Sequence, residues 1–270
     1  MVAPTLLYGT AWKEDDTARL VGLALDAGFR AFDTANQRRH YHEAGVGEGL
    51  RPFLERDGRD ALFLQTKYTY PRGQDHRLPY DPSAPPERQV RQSCSSSLAH
   101  LGVERLDALL LHGPEHAQGW SATDRAVWYT MESMVDEGRV GRVGVSNVSA
   151  AQLAELLEHA RIPPFYVQNR CYASRRWDAD VRGLCASSGA IYQGFSLLTA
   201  NRAVWGHAAV AAIARRHGAT PAMVILRFAQ RLGMLPLTGT TDPRHMAQDL
   251  QIGALPLSDD EVAEVEALGR

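Results

Sequence analysis

Lysine is almost missing from this chain. Of its 29 basic residues only Lys13 and Lys67 are lysines. A GC-rich coding sequence accounts for the bias, but each surviving lysine still needs a reason. Cysteine is scarce as well. Cys94, Cys171 and Cys185 form an odd, sparse set, which excludes a disulfide framework and fits a reducing compartment. Neither sign of charge dominates: a formal net charge of -2 argues against a nucleic-acid or anionic-membrane surface. No apolar run approaches the ~20 residues of a membrane helix. Met1–Thr10 carries no positive segment ahead of an apolar stretch, so no secretory signal is expected and the chain reads as cytoplasmic. Linkers, repeats and low-complexity stretches are absent too. Residues 1–270 therefore read as one domain, with 44 % hydrophobic residues to fill its core.

Two textures alternate along the chain. Eight β-rich runs end in turn or polar residues: Thr5–Thr10, Ala31–Ala35, Ala61–Tyr68, Asp107–His112, Arg142–Asn147, Phe165–Asn169, Ala190–Ser196 and Met234–Thr240. Helix-period segments lie between them. Thr17–Ala27 carries Leu20, Leu23, Ala24 and Ala27 on one stripe. Glu87–Leu101 opens after Pro85-Pro86 and stops at Gly102. Ser149 caps a helix with Leu153, Leu156 and Leu157. Ala208–Arg216, Pro221–Leu232, a helix opened by Asp242-Pro243, and Ser258–Leu268 follow. Strict strand–helix alternation predicts a parallel sheet, and eight units in this length predict an α/β fold of the closed (β/α)8 TIM-barrel type.

Chemistry in such a barrel sits at the C-terminal ends of the strands. Asp33 stands at the end of strand 2, Lys67 at strand 3 and His112 at strand 4. Each has a bland reading alone. A strand-end Asp often caps a turn, a lysine can snorkel to solvent, and a lone histidine is usually a satisfied core residue. But Lys67 follows the apolar run Leu62-Phe63-Leu64-Gln65-Thr66, where a charge needs a partner, and Asp33 on the neighbouring strand supplies one.

These residues sit in motifs that resemble the aldo-keto reductase family over essentially the whole chain. Gly9-Thr10-Ala11-Trp12 resembles the family's strand-1 signature. Phe29–Ala35 resembles its aspartate motif, Phe63–Lys67 its lysine motif, Leu106–His112 its histidine motif, and Val143–Asn147 its Ser-Asn pair. The resemblance implies a catalytic tetrad of Asp, Tyr, Lys and His. The tyrosine departs from the pattern: Arg38 occupies its usual place, five residues after the aspartate. The loop Asn36-Gln37-Arg38-Arg39-His40-Tyr41 is longer and resembles an Asn-Gln-x-x-His-Tyr variant seen in some members, which moves the tyrosine to Tyr41. Two further departures are expected: no hairpin plugging the barrel bottom before strand 1, and a short C-terminal segment.

The implied chemistry is reduction of a small-molecule aldehyde or ketone by a monomer. Tyr41 gives the proton, Lys67 lowers its pKa, Asp33 holds Lys67, and His112 donates a hydrogen bond to the carbonyl oxygen. Trp12, Tyr41 and His112 would meet the substrate. The implied cofactor is NADPH, with NADH as an alternative donor. By resemblance it runs past Gly9, Thr10, Ala11 and Asp33. Ser146, Asn147, Gln168 and Asn169 would hold the carboxamide, and Phe195 would stack on the nicotinamide. Ser196, Leu197 and Leu198 pass the pyrophosphate. Gly239, Thr240, Thr241, Arg244, His245, Gln248 and Asp249 meet the adenosine end. Many members place Lys-Ser and an arginine there, so a modest NADPH preference resting on Arg244 is expected.

Three competing motifs fail. Gly45-x-Gly47-x-Gly49 does not follow a strand and lacks the spacing of a dinucleotide fingerprint. His112-Gly113-Pro114-Glu115-His116 spells an inverted zinc-protease pattern, but Gly113-Pro114 prevents the helix that pattern needs. His40 and His42 lack a third ligand for zinc, so no metal is expected. A barrel performing a non-redox elimination or cyclisation, and a non-catalytic binding subunit, remain open alternatives at this level.

Overall fold

The computed structural model describes residues 4–269. Eight strands close into a barrel in sequence order: β1 Leu7–Gly9, β2 Ala31–Asp33, β3 Phe63–Tyr68, β4 Leu106–Leu111, β5 Val140–Ser146, β6 Tyr166–Arg170, β7 Ile191–Phe195 and β8 Leu235–Thr238. All neighbours pair in parallel, β8 with β1 included. Eleven α-helices accompany them among the described residues: α1 Thr17–Ala27, α2 Glu43–Asp57, α3 Pro86–Leu101, α4 Ala122–Asp136, α5 Ala150–His159, α6 Ala179–Ser188, α7 Arg202–Trp205, α8 Ala208–Arg216, α9 Pro221–Arg231, α10 Pro243–Asp249 and α11 Asp259–Ala267. Most predicted strands overrun the observed ones by a residue or two, because their last residues turn into the loops that build the barrel mouth. Among the described residues no hairpin precedes β1.

The apolar side chains separate into two clusters, as side-chain alternation along a strand requires. Tyr8, Phe32, Leu64, Leu109, Val145 and Val167 face outward and pack under the helices. Leu7, Ala31, Phe63, Ala108, Leu110, Tyr166 and Leu235 fill the barrel interior. Counting by twos from the inner set reaches Asp33, Gln65, Lys67, His112 and Gln168. The alternation that buries the core therefore aims these polar residues at one end of the barrel.

The glycine-rich stretch that fails as a nucleotide fingerprint has a packing role. It lies in α2, and a Cβ on Gly47 would collide with the His100 carbonyl of α3. Helix α4 is absent from the sequence-level prediction. Its signal is present: Ser121 and Asp124 form a capping box ahead of the buried stripe Val127, Trp128, Met131 and Met134.

Candidate active site

Lys67 is the largest charged side chain sealed in the interior among the described residues, with no exposed side-chain surface. Its Nζ donates to Asp33 Oδ1 and Oδ2, each at 2.7 Å, and to the Thr34 carbonyl at 2.9 Å. Three donors therefore meet three acceptors. Burial pulls the ammonium below its ordinary value, and the Asp33 carboxylate opposes that shift.

The displaced tyrosine reaches this pair. The loop after β2 is tied down by two buried amides. Asn36 Nδ2 donates to the Ser93 carbonyl of α3 at 2.9 Å, and Gln37 Nε2 donates to the Gly73 carbonyl at 2.7 Å. The Gln37 carbonyl then accepts the backbone N–H of His40 and of Tyr41, which turns the chain back over the barrel. Lys67 Nζ lies 5.3 Å from the centre of the Tyr41 ring. The same ring meets His112 edge-on, with centroids 5.9 Å apart. The Tyr41 hydroxyl makes no hydrogen bond within the described residues. Two other tyrosines at strand ends, Tyr8 and Tyr68, are engaged elsewhere: Tyr8 donates to the Thr240 carbonyl, and Tyr68 donates to Gln89 on α3.

Burial first, and the Asp33 charge second, push the Tyr41 phenol well above its usual range. Burial outweighs the lowering expected from Lys67. Asp33 neutralises the ammonium at contact distance, so desolvation dominates. His112 is pulled down to about 3 by burial and by the Lys67 charge, and is therefore neutral at ordinary pH. Its Nδ1 lies 2.6 Å from Thr69 Oγ1. Donation from the Thr69 hydroxyl, which has no other acceptor among the described residues, to Nδ1 would put the ring proton on Nε2.

A cavity of about 1220 Å³ opens above these groups. Gly9, Ala11, Trp12, Asp33, Tyr41, His112, Ser146, Asn147, Gln168 and Phe195 line it. So do Ser196, Leu197, Leu198, Gly239, Thr240, Thr241, His245, Gln248 and Asp249. The volume exceeds the usual range for a single small ligand, as a dinucleotide plus a substrate requires. Three lining residues, Trp12, Asn147 and Ser196, hold positive φ without being glycine, a form of strain that collects at functional sites. Trp12 is 68 % exposed and stacks on His40 at 4.1 Å, forming one wall of the mouth.

The donor set fits a nicotinamide dinucleotide. Asn147 Nδ2 is spent on the His112 carbonyl and on Ser146 Oγ, and Ser146 Oγ in turn donates to the Gln168 carbonyl. The side-chain carbonyls of Asn147 and Gln168 have no partner among the described residues and are free to accept a carboxamide N–H. Gly239 leaves room that a side chain would fill: its Cβ would stand 3.9 Å from Lys13 Nζ. Lys13, the other rare lysine, is buried and donates to the Gly239 carbonyl at 2.8 Å. Burial lowers its ammonium to about 8. The sequence reading asked why Lys13 survives but gave it no role. The structure puts it in the cavity wall, beside Gly239.

Three expected cofactor residues do not line the cavity. Arg244 has an 85 % exposed side chain and pairs with Asp242, the N-cap of its own helix α10, at 2.9 Å. Asn169 spends its whole amide on the Val148 backbone and on Asp178. Thr10 is buried and donates to the Asp33 carbonyl, so it braces the β1–β2 edge instead.

Residues 5–270 match the Aldo/keto reductase family. The chain is 27 % identical to a probable NAD(P)H-dependent D-xylose reductase of Aspergillus clavatus, over 96 % of this chain and 85 % of that one. Among solved structures it resembles the aldose reductase of Schistosoma japonicum, with a TM-score of 0.84 and 25 % identity over 99 % of this chain and 89 % of that one. It also shares the fold of an aldo-keto reductase from a Medee basin deep-sea metagenome, with a TM-score of 0.85 at 20 % identity, covering 99 % and 92 % of the two chains. A closed eight-stranded barrel, a buried Asp–Lys pair with tyrosine and histidine above it, and a family match over nearly the full length agree: the chain belongs to the aldo/keto reductase family and is an oxidoreductase.

Proposed function

We propose that this enzyme reduces an aldehyde or ketone to an alcohol with NADPH, using Tyr41, carried on the longer Asn-Gln-x-x-His-Tyr loop, as proton donor. The observation that carries the reading is the position of the Tyr41 ring close to both Lys67 and His112, with a hydroxyl that has no partner among the described residues.

The cavity would hold the dinucleotide extended. Of the residues that line it, Asn147, Gln168 and Phe195 would hold the nicotinamide end, Ser196, Leu197 and Lys13 the phosphates, and Thr241, His245 and Gln248 the adenosine end. Bound there, the reduced nicotinamide supplies a hydride. The protein's own work is protonic and electrostatic. Neutral His112 donates from Nε2 to the substrate oxygen and orients it. Burial keeps the proton on Tyr41 until a developing alkoxide, far more basic than the ground-state carbonyl, draws it away. Lys67 faces the Tyr41 ring, so its ammonium stabilises the phenolate left behind, and Asp33 holds that ammonium in register. Trp12 and His40 contact the part of the substrate that projects from the mouth.

Mixing the protein with NADPH and an activated aldehyde such as a nitrobenzaldehyde tests the reading. Aldehyde-dependent loss of NADPH absorbance, matched by alcohol formation, is expected. No turnover with any of a panel of aldehydes and ketones would refute it. The non-redox alternative has no observation in its favour, because all four groups needed for carbonyl reduction are assembled.

A further inference from the structure

Charge in the cavity wall is one-sided. Two carboxylates line it, Asp33 and Asp249, and neither is free. Asp33 is held by Lys67, and Asp249 is buried and accepts from Thr238 Oγ1 at 2.6 Å. Three basic side chains, Lys13, Arg72 and Arg170, line it as well. Two of these lie with the residues that would hold the cofactor. Lys13 bonds to the Gly239 carbonyl after β8, and the Arg170 guanidinium lies over the Phe195 ring, 5.6 Å from its centre. Arg72 stands apart from them, on the loop after β3.

That loop holds Arg72 close to the reacting groups. Pro71–Gly73 makes one tight turn, closed by the Gly73 N–H on the Tyr70 carbonyl at 2.9 Å. A Cβ on Gly73 would collide with Thr69, the residue whose hydroxyl meets His112. The Tyr70 hydroxyl donates to Asp124 Oδ1 at 2.8 Å, and the same oxygen accepts the Glu115 N–H at 2.8 Å, which ties the loop after β3 to the loop after β4. Arg72 Nη2 adds a second tie by donating to the Pro114 carbonyl. Pro114 follows His112 by two residues, so the two Cα atoms are at most about 7 Å apart. The tie uses one of five guanidinium N–H groups. Arg72 forms no ion pair among the described residues: Asp75 pairs with Arg77, and Glu115 faces His116 at 3.9 Å.

We propose that Arg72 sets substrate specificity by receiving a carboxylate on the carbonyl compound, so that the site selects aldehydes or ketones that carry one. The inference rests on the carbonyl-reductase reading and names the substrate class within it. A guanidinium offers two parallel N–H groups to one carboxylate. A phosphate carries close to two charges and calls for a second cation, and Arg72 is the one arginine or lysine lining the cavity on the loops after β2, β3 and β4. Arg72 is exposed, so water and salt screen the pair and the preference it gives is moderate.

The test pairs aldehydes of one shape. Carboxybenzaldehyde is anionic at neutral pH, and carbamoylbenzaldehyde is its neutral isostere; the 3- and 4-substituted isomers of both are used. Steady-state oxidation of saturating NADPH gives kcat/KM for each compound with the parent and with Arg72→Gln. The acid-to-amide ratio in the parent, divided by that in the variant, cancels intrinsic reactivity. This quotient should reach about fivefold for at least one isomer, through a higher KM for the acid in the variant. In about 1 M salt the parent's ratio should fall toward the variant's. A quotient near one for both isomers, with the amides still reduced, overturns this proposal alone. So does equal loss toward acid and amide, which is what a residue that only ties the two loops would produce, or a parent ratio indifferent to salt. A parent that oxidises no NADPH with either compound overturns the functional reading, and this proposal with it.

Discussion

Replacing Tyr41 by phenylalanine removes one oxygen atom and little else. The ring keeps its edge-on contact with His112 at 5.9 Å and its place 5.3 Å from Lys67 Nζ. The lost hydroxyl bonds to nothing among the described residues, so no buried partner is orphaned. A change of that kind stays within about 0.5 kcal/mol, and for a domain of this size the melting temperature should move by less than about 2 °C. Dinucleotide affinity should hold as well, because the carboxamide and phosphate contacts lie on other strands. The turnover number should not hold. A positioned proton donor contributes roughly 10²- to 10⁴-fold, equal to about 3 to 5.5 kcal/mol of barrier. Steady-state NADPH oxidation gives kcat, a fluorescence titration gives the cofactor Kd, and calorimetry gives the melting temperature. A Tyr41→Phe enzyme with kcat within threefold of the parent would refute the assignment. A variant that lost cofactor binding along with turnover would show that Tyr41 shapes the cavity and donates no proton.

Other outcomes follow from the same geometry. Thr69→Val should lower kcat/KM about tenfold by freeing the His112 tautomer, and Thr69→Ser should restore it; a fully active valine variant would mean that Thr69 does not set the ring. Lys13 carries its charge below about 8, so affinity for the dinucleotide phosphates should weaken as pH rises through that value; Lys13→Met should bind more weakly and lose this pH dependence, and a parent with constant Kd would sink the role. Arg244→Ala should leave the ratio of NADPH to NADH Michaelis constants unchanged, because the guanidinium is exposed and already paired with Asp242; a collapse of the ratio would return Arg244 to the 2′-phosphate.

Much of this was legible in the chain, for reasons that differ by residue. The period-two alternation that buries Phe63 also aims Lys67 inward, so a charge after an apolar run announced an interior pair. Tyr41 was found by a shifted loop motif, but what brings it home was not readable. Asn36 and Gln37 anchor on the Ser93 and Gly73 carbonyls, and main-chain acceptors leave no trace in a sequence. Arg244 was chosen by type and position, and the structure shows its guanidinium exposed and paired with Asp242. The N-cap aspartate two residues earlier was visible as a helix start, yet not weighed as a competitor for the guanidinium. Asn169 and Gln168 are adjacent on β6 and so face opposite sides; alternation alone could have chosen Gln168.

The central claim is that a hydride reaches a carbonyl carbon while Tyr41 protonates the oxygen. The most direct test runs the reaction with NADPH carrying deuterium at the transferable position and examines the product by mass spectrometry and proton NMR. One deuterium on the carbinol carbon, in stoichiometric amount and lost in parallel with turnover in Tyr41→Phe, is the predicted result. A product that carries no label, or one formed without consuming NADPH, would contradict it.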